Sequence, residues 1–155
     1  MNKDFNYTGS IILGMHDAIV SLTGLIVGLS FAFTDSNIIV LSCIISSITA
    51  SLSMGAANYL ATKTTNKQHA IRAAIYTCVA YMITCIILIL PFIVFYNRIT
   101  ALLSVFILVI LIIYTFNRIV YRRINKHFYE MLTICFIVSL VAFLIGEGAK
   151  IIFGI

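Results

Sequence analysis

Charge is scarce in this sequence. Only 10% of its 155 residues are Asp, Glu, Lys or Arg, where a water-soluble domain carries about 25%. With 62% of the residues hydrophobic, too few polar side chains remain to cover a water-facing surface, and the natural solvent for such a surface is lipid. A separate soluble domain does not fit. Proline is nearly absent. The single one, Pro91, lies in an apolar run, where it frees the carbonyl of Ile87 and is expected to bend the last turns of that span. The cysteines, Cys43, Cys78, Cys85 and Cys135, form no CxxC pair and have no zinc-type spacing to a histidine, so they read as small apolar packing residues. P-loop, dinucleotide fingerprint, hydrolase elbow and HExxH are all missing. Nothing supports an enzyme, and no cofactor is expected.

What is present is a series of long apolar runs. A helix needs about 20 mostly apolar residues to cross the hydrocarbon core. Runs of that kind predict an all-α, polytopic membrane protein: a single transmembrane domain over residues 1–155 with five transmembrane helices, spanning roughly Ser10–Phe33, Ile38–Ala61, Ala73–Tyr96, Ile99–Phe116 and Met131–Phe153. The first run is too long for a signal peptide and carries His16 and Asp17 in its middle, so it is expected to be a retained span. The polar stretch Thr34-Asp35-Ser36-Asn37 can cap the second helix. The second half of that helix is rich in small residues, among them Ser46, Ser47, Ala50, Ser51, Ser53, Gly55 and Ala57. Lipid would not select them; close helix packing or a polar path would. The fourth span is nearly all Leu, Ile, Val and Phe, a lipid-facing composition with no expected chemistry.

The net charge of +5 reports topology more than any nucleic-acid partner, because the basic residues sit in short loops beside the spans. Lys63, Lys67 and Arg72 follow the second span; Arg118, Arg122, Arg123 and Lys126 follow the fourth; Lys3 precedes the first. The opposite loops hold Asp35 and Arg98. The positive-inside rule then puts the N-terminus in the cytosol and the C-terminus outside, in a multi-pass protein of the cell (inner) membrane if the source is prokaryotic.

Ionisable residues at membrane depth mark function or a paired structural role. Asp17 is the strongest candidate, a turn and a half into the first span. Ser21 follows one turn along the same face, and Gly24 and Gly28 then form a small-xxx-small face that can admit a second copy of the same helix. Met54 is either packing or a soft thioether ligand. With a carboxylate it would suit a late first-row divalent metal better than Mg²⁺ or Ca²⁺. Asn58, one turn on, is either a neutral oxygen ligand or a helix–helix hydrogen bond. His16 lies about 100° around the helix from Asp17, so the two need not share a site. Glu147 and Lys150 read as an intrahelical ion pair near the outer boundary, with the lysine reaching for water.

Two of these segments carry a resemblance. Gly14-Met15-His16-Asp17-Ala18-Ile19-Val20 resembles the G-x-N-D-G-x-V opening of the vacuolar iron transporter family, and Ser53-Met54-Gly55-Ala56-Ala57-Asn58-Tyr59-Leu60 resembles that family's S-M-x-x-x-E-Y-[LV] segment. Phe128-Tyr129-Glu130-Met131-Leu132 and the closing Phe153-Gly154-Ile155 are similar to the two ends of its fifth helix. The resemblance implies a homodimer that moves Fe²⁺, and often Mn²⁺, out of the cytosol in exchange for protons, with the route at the two-fold interface. It puts the metal on Asp17 and Met54 and identifies the metal as substrate. The chain departs from the family in three places: Ala18 replaces a Gly, Asn58 replaces a Glu, and a short basic link near Thr62–Arg72 stands where many members carry a long Glu-rich cytosolic domain.

Overall fold

The computed structural model describes residues 6–120 and 126–153; Lys3, Asp4, Arg122, Arg123, Gly154 and Ile155 lie outside the described residues. The described chain is all-α: α1 (Thr8–Ala32), α2 (Ser36–Thr65), a short 3-10 turn (Lys67–His69), α3 (Ala70–Val94), α4 (Arg98–Val120) and α5 (Lys126–Phe153). All five helices are long and apolar enough to cross a membrane. The shortest, with 23 residues, is about 34 Å long at 1.5 Å per residue, against a hydrocarbon core of about 30 Å.

Asparagine and aspartate side chains open three of the helices. Asn6 Oδ1 accepts from the Thr8 amide at 2.9 Å, Asp35 Oδ1 from the Asn37 amide at 2.8 Å, and Asn97 Oδ1 from the Ile99 amide at 2.9 Å. Each satisfies an amide that the first helical turn leaves without a partner. At the C-terminal end of α1, Arg98 Nη1 donates to the Phe33 carbonyl at 2.8 Å, which ties the start of α4 to the end of α1.

Side-chain pairings fix the directions of the helices. Gly14 lies against Thr77 and Ser21 against Tyr81, so α1 and α3 run parallel. Gly24 lies against Val138 and Gly28 against Ala142, so α5 runs parallel to both. Asn58, late in α2, reaches Ser10, early in α1, so α2 runs the other way. His16 touches Phe116 while Arg98 reaches Phe33, so α4 does too. The starts of α1, α3 and α5 therefore share one face with the ends of α2 and α4. That face carries Lys63, Lys67, Arg72, Arg118 and Lys126, all exposed. Interfacial tyrosines lie there as well: Tyr7 bonds His69 Nδ1 at 2.7 Å and stacks on Tyr76 at 4.8 Å, and Lys63 sits 5.2 Å from the centre of the Tyr59 ring. Such amphipathic rings collect at a membrane–water boundary.

The core runs along α1, whose Ala18, Ile19, Leu22 and Ile26 are buried against α3 and α5. The outer faces stay apolar and bare, with Leu52 64% and Ile93 63% exposed. An apolar surface this extensive is stable only in lipid. The chain is an integral, multi-pass membrane protein. α4 buries one row of its surface, Ala101, Val105, Val109, Ile113 and Asn117, with Leu102, Leu108, Ile112 and Phe116 partly buried beside it.

Candidate metal-binding site

One seam on α1 organises the site. Ser10, Gly14, Asp17, Ser21, Gly24 and Gly28 recur at alternating steps of four and three, which keeps them on one face of a helix. As far as Ser21 the seam faces α3. A Cβ on Gly14 would collide with the Thr77 backbone. Ser21 Oγ donates to the Asp17 carbonyl at 2.6 Å and lies 2.7 Å from the Tyr81 hydroxyl. With its one proton on the carbonyl, Ser21 accepts from Tyr81, a phenol only 2% exposed. Beyond Ser21 the seam faces α5. Gly24 lies under Val138, Gly28 under Ala142, and Gly146 sits directly on the Gly28 carbonyl. Where the sequence led to the same helix of a second copy at Gly24 and Gly28, α5 of the same chain packs against both, because two glycines allow backbones to touch whichever helix arrives.

Asp17 lies one turn before the seam changes partner. It is half-buried and lines a cavity of about 420 Å³ with His16, Gly9 and Val20 of α1 and with Met131 and Ile134 of α5. The structure thus brings His16 and Asp17 to one cavity despite their angular separation, because the cavity spans the side of α1. Phe116 of α4 meets the His16 ring at a centroid distance of 5.6 Å in a T-shaped contact, which fixes the plane of the imidazole.

Met54 and Asn58 lie elsewhere in the protomer. Met54 is half-buried and packs against the bundle's apolar cluster; it is not among the described residues lining the Asp17 cavity. Asn58 is the hub of a polar knot. Its Nδ2 donates to Thr77 Oγ1 at 2.6 Å, Ser10 Oγ at 3.1 Å and the Ala73 carbonyl at 3.3 Å, and its Oδ1 accepts from Thr62 Oγ1 at 3.3 Å. Thr77 adds a bond to the Ser10 carbonyl at 3.0 Å. Of the two readings of Asn58 from sequence, the helix–helix hydrogen bond is the one its geometry realises. The small residues of α2 also divide. Ser47, Ser51 and Gly55 are buried, the last two close to Cys78 of α3, whereas Ser53 and Ala57 are exposed.

Glu147 and Lys150 do not form the expected ion pair. Glu147 is half-buried beside the Gly28–Gly146 contact, and Lys150 is exposed. Sequence reasoning passed over Thr77, Tyr81 and Met131. Thr77, Tyr81 and Thr84 recur at helical spacing in an otherwise apolar run, a hydroxyl stripe that could have marked the inner face of α3. Nothing in its local sequence marks Met131 as lining the same cavity as Asp17.

Among the described residues, no three His, Cys, Asp or Glu side chains cluster to hold a metal. Among the described residues lining the cavity at Asp17, Asp17 supplies the one carboxylate. Against known proteins, a sequence model of the VIT (vacuolar iron transporter) family matches residues 8–71. That segment covers α1, α2 and the start of α3, and contains Asp17, Met54 and Asn58. No curated protein matched the chain.

Proposed function

We propose that this chain transports a divalent transition metal, Fe²⁺ or Mn²⁺, out of the cytosol in exchange for protons, and that it works as a homodimer. One observation carries the reading: Asp17, a half-buried carboxylate inside a membrane span, lines a cavity within the segment that matches the VIT family. A carboxylate there is costly to maintain and marks an ion path by default. Metal and proton compete for the same carboxylate oxygens. Loading metal from the cytosol expels a proton, and release on the far side lets Asp17 take one up, which couples the two fluxes.

The donor count supports a dimer. A single protomer contributes one acid where a divalent ion favours more, and a two-fold axis would double it. On α2, Ser46, Ala50, Ser53 and Ala57 recur at helical spacing and are half to fully exposed, with Met54 beside them. A strip of small residues suits close approach of another helix better than lipid. A second copy seated there would bring Met54 to the interface, where the family resemblance puts it.

A second reading rests on Asn58. The residue at the family's Glu position is engaged in the knot with Ser10, Ala73, Thr77 and Thr62, as befits a partner subunit that keeps the fold without transporting. Uptake of Mn²⁺ and Fe²⁺ into liposomes reconstituted with the purified chain separates the two. The transport reading expects protein-dependent uptake that saturates with metal; uptake equal to that of empty liposomes favours the subunit.

A further inference from the structure

We propose that the basic face of the bundle seats anionic phospholipid, the headgroup phosphate on a cation and the glycerol on a tyrosine, at the ends of α2, α3, α4 and α5. This goes beyond the transport reading and does not depend on it. The same arrangement recurs on the four helices. On α2, Leu41, Ile45, Ile48 and Leu52 follow one another at steps of three and four along an exposed row. That row reaches the basic face as Tyr59 and then Lys63, whose ammonium lies 5.2 Å from the centre of the Tyr59 ring. On α3 the exposed row Leu90, Ile86, Ile83 and Val79 ends in Tyr76 and Arg72. On α4, Leu103, Ile107 and Leu111 end in Tyr114 and Arg118. On α5, Leu144, Leu140 and Phe136 end in Tyr129 and Lys126. Each tyrosine stands one turn nearer the membrane centre than its cation.

An exposed apolar row is a surface along which an acyl chain lies. A tyrosine at its end keeps its ring in hydrocarbon and its hydroxyl at the polar boundary, and a Lys or Arg one turn further out reaches the phosphate level. A zwitterionic headgroup answers its phosphate with its own cation, whereas an anionic one leaves that charge to the protein. Clusters of roughly four to eight Lys and Arg just outside a span select anionic lipid for this reason. Lys63, Lys67, Arg72, Arg118 and Lys126 are exposed on this face, against Glu130 as its one exposed acid among the described residues. A shallow cavity of about 470 Å³ beside Lys126 and Tyr129 leaves room for a headgroup. The opposite face has no matching excess: Arg98 is engaged with the Phe33 carbonyl, Asp35 is exposed near it, and Glu147 lies one turn from Lys150. The lipid row on α2 also leaves the small-residue strip clear, since Ile45 and Leu52 lie about 100° around the helix from Ser46 and Ser53.

Lipid retention by the full chain tests the seats. The protein is reconstituted into bilayers of equal parts phosphatidylglycerol and phosphatidylcholine, extracted in mild detergent, and the lipid that stays bound is counted by mass spectrometry. The wild type should hold phosphatidylglycerol over phosphatidylcholine by at least about threefold. Replacing Lys63, Arg72, Arg118 and Lys126 together by Gln should bring the ratio to parity. Each half of that set, Lys63→Gln with Arg72→Gln and Arg118→Gln with Lys126→Gln, should give an intermediate ratio, so the test does not hang on the folding of one variant. Lys63→Arg with Lys126→Arg should keep the preference. Tyr59→Leu with Tyr129→Leu, all charges intact, should lower it by about twofold, which a diffuse charge effect would not do. Lys150→Gln, at the other end of α5, should leave it unchanged, and so should a large excess of inorganic phosphate, which has no chain to lie on the apolar rows. Parity in the wild type, full preference in the Gln variants or in the tyrosine variant, an equal loss in Lys150→Gln, or displacement by inorganic phosphate would overturn the proposal.

Discussion

Asn58 shows how one side chain changes meaning between sequence and structure. By resemblance it stands where a carboxylate is usual, and replacing it with Glu would be expected to restore a missing ligand. The contacts argue otherwise. Its amide donates to three oxygens on α1 and α3, and an ionised carboxylate donates to none. Each such bond is worth about 1 kcal/mol in water and often nearer 0.6 within a membrane. Asn58→Leu should therefore lower stability by roughly 1–3 kcal/mol. Asn58→Glu should cost more, because it sets a charge among oxygens that now accept from the amide. Denaturation in mild detergent, followed by helical signal, checks both; a Glu variant as stable as wild type with faster metal uptake would return position 58 to the ion path. The residue type alone left both roles open, and the helix–helix hydrogen bonds became visible only with the arrival of Ser10 and Thr77 from other helices.

Glycine packing sets the next scale, that of helix pairs, and it grades the expected damage. A methyl on Gly14 would meet the Thr77 backbone and one on Gly146 the Gly28 backbone, neither of which can yield. Gly14→Ala and Gly146→Ala should each cost about 1–3 kcal/mol, the usual range for overpacking. At Gly24 the obstacle is the tip of the Val138 side chain, 2.8 Å from the added carbon, which can rotate away, so Gly24→Ala should be milder. Gly148, with open space around it, serves as the control and should be near neutral. Thermal unfolding of the four variants tests the order; equal destabilisation at Gly146 and Gly148 would contradict close α1–α5 contact. Helix existence was plain from the sequence because each apolar run exceeds the length the membrane demands. Helix ends were less so. α2 continues to Thr65, past Ala61, and α5 starts at Lys126, before Met131, because hydropathy marks where lipid ends while backbone hydrogen bonding carries a helix on into the interface. Partners were the least legible. The seam from Ser10 to Gly28 announces close packing on one face, yet its spacing cannot say that α3 takes its lower half and α5 its upper half. The same holds for the cavity beside Asp17: Asp17 and His16 are conspicuous at membrane depth in the sequence, whereas Met131 is one apolar residue among many until the fold brings it to that cavity.

For the molecule as a whole, the alternating helix directions place Lys63, Lys67, Arg72, Arg118 and Lys126 on one face, together with the start of α1. The positive-inside rule expects that face in the cytosol. A cysteine at Thr65, exposed at the end of α2, should react with a membrane-impermeant maleimide only after cells are opened; labelling of intact cells would invert the orientation and, with it, the direction of transport. The account turns on Asp17 carrying metal and proton by turns. Metal-driven proton movement across proteoliposomes tests that most directly, with wild type beside Asp17→Asn, a substitution that keeps the shape and removes the charge. An inward Mn²⁺ or Fe²⁺ gradient should drive protons out of wild-type vesicles, and the Asn variant, folded and reconstituted to the same level, should show neither metal uptake nor proton flux. Equal fluxes from the two proteins would contradict the account and take Asp17 out of the mechanism.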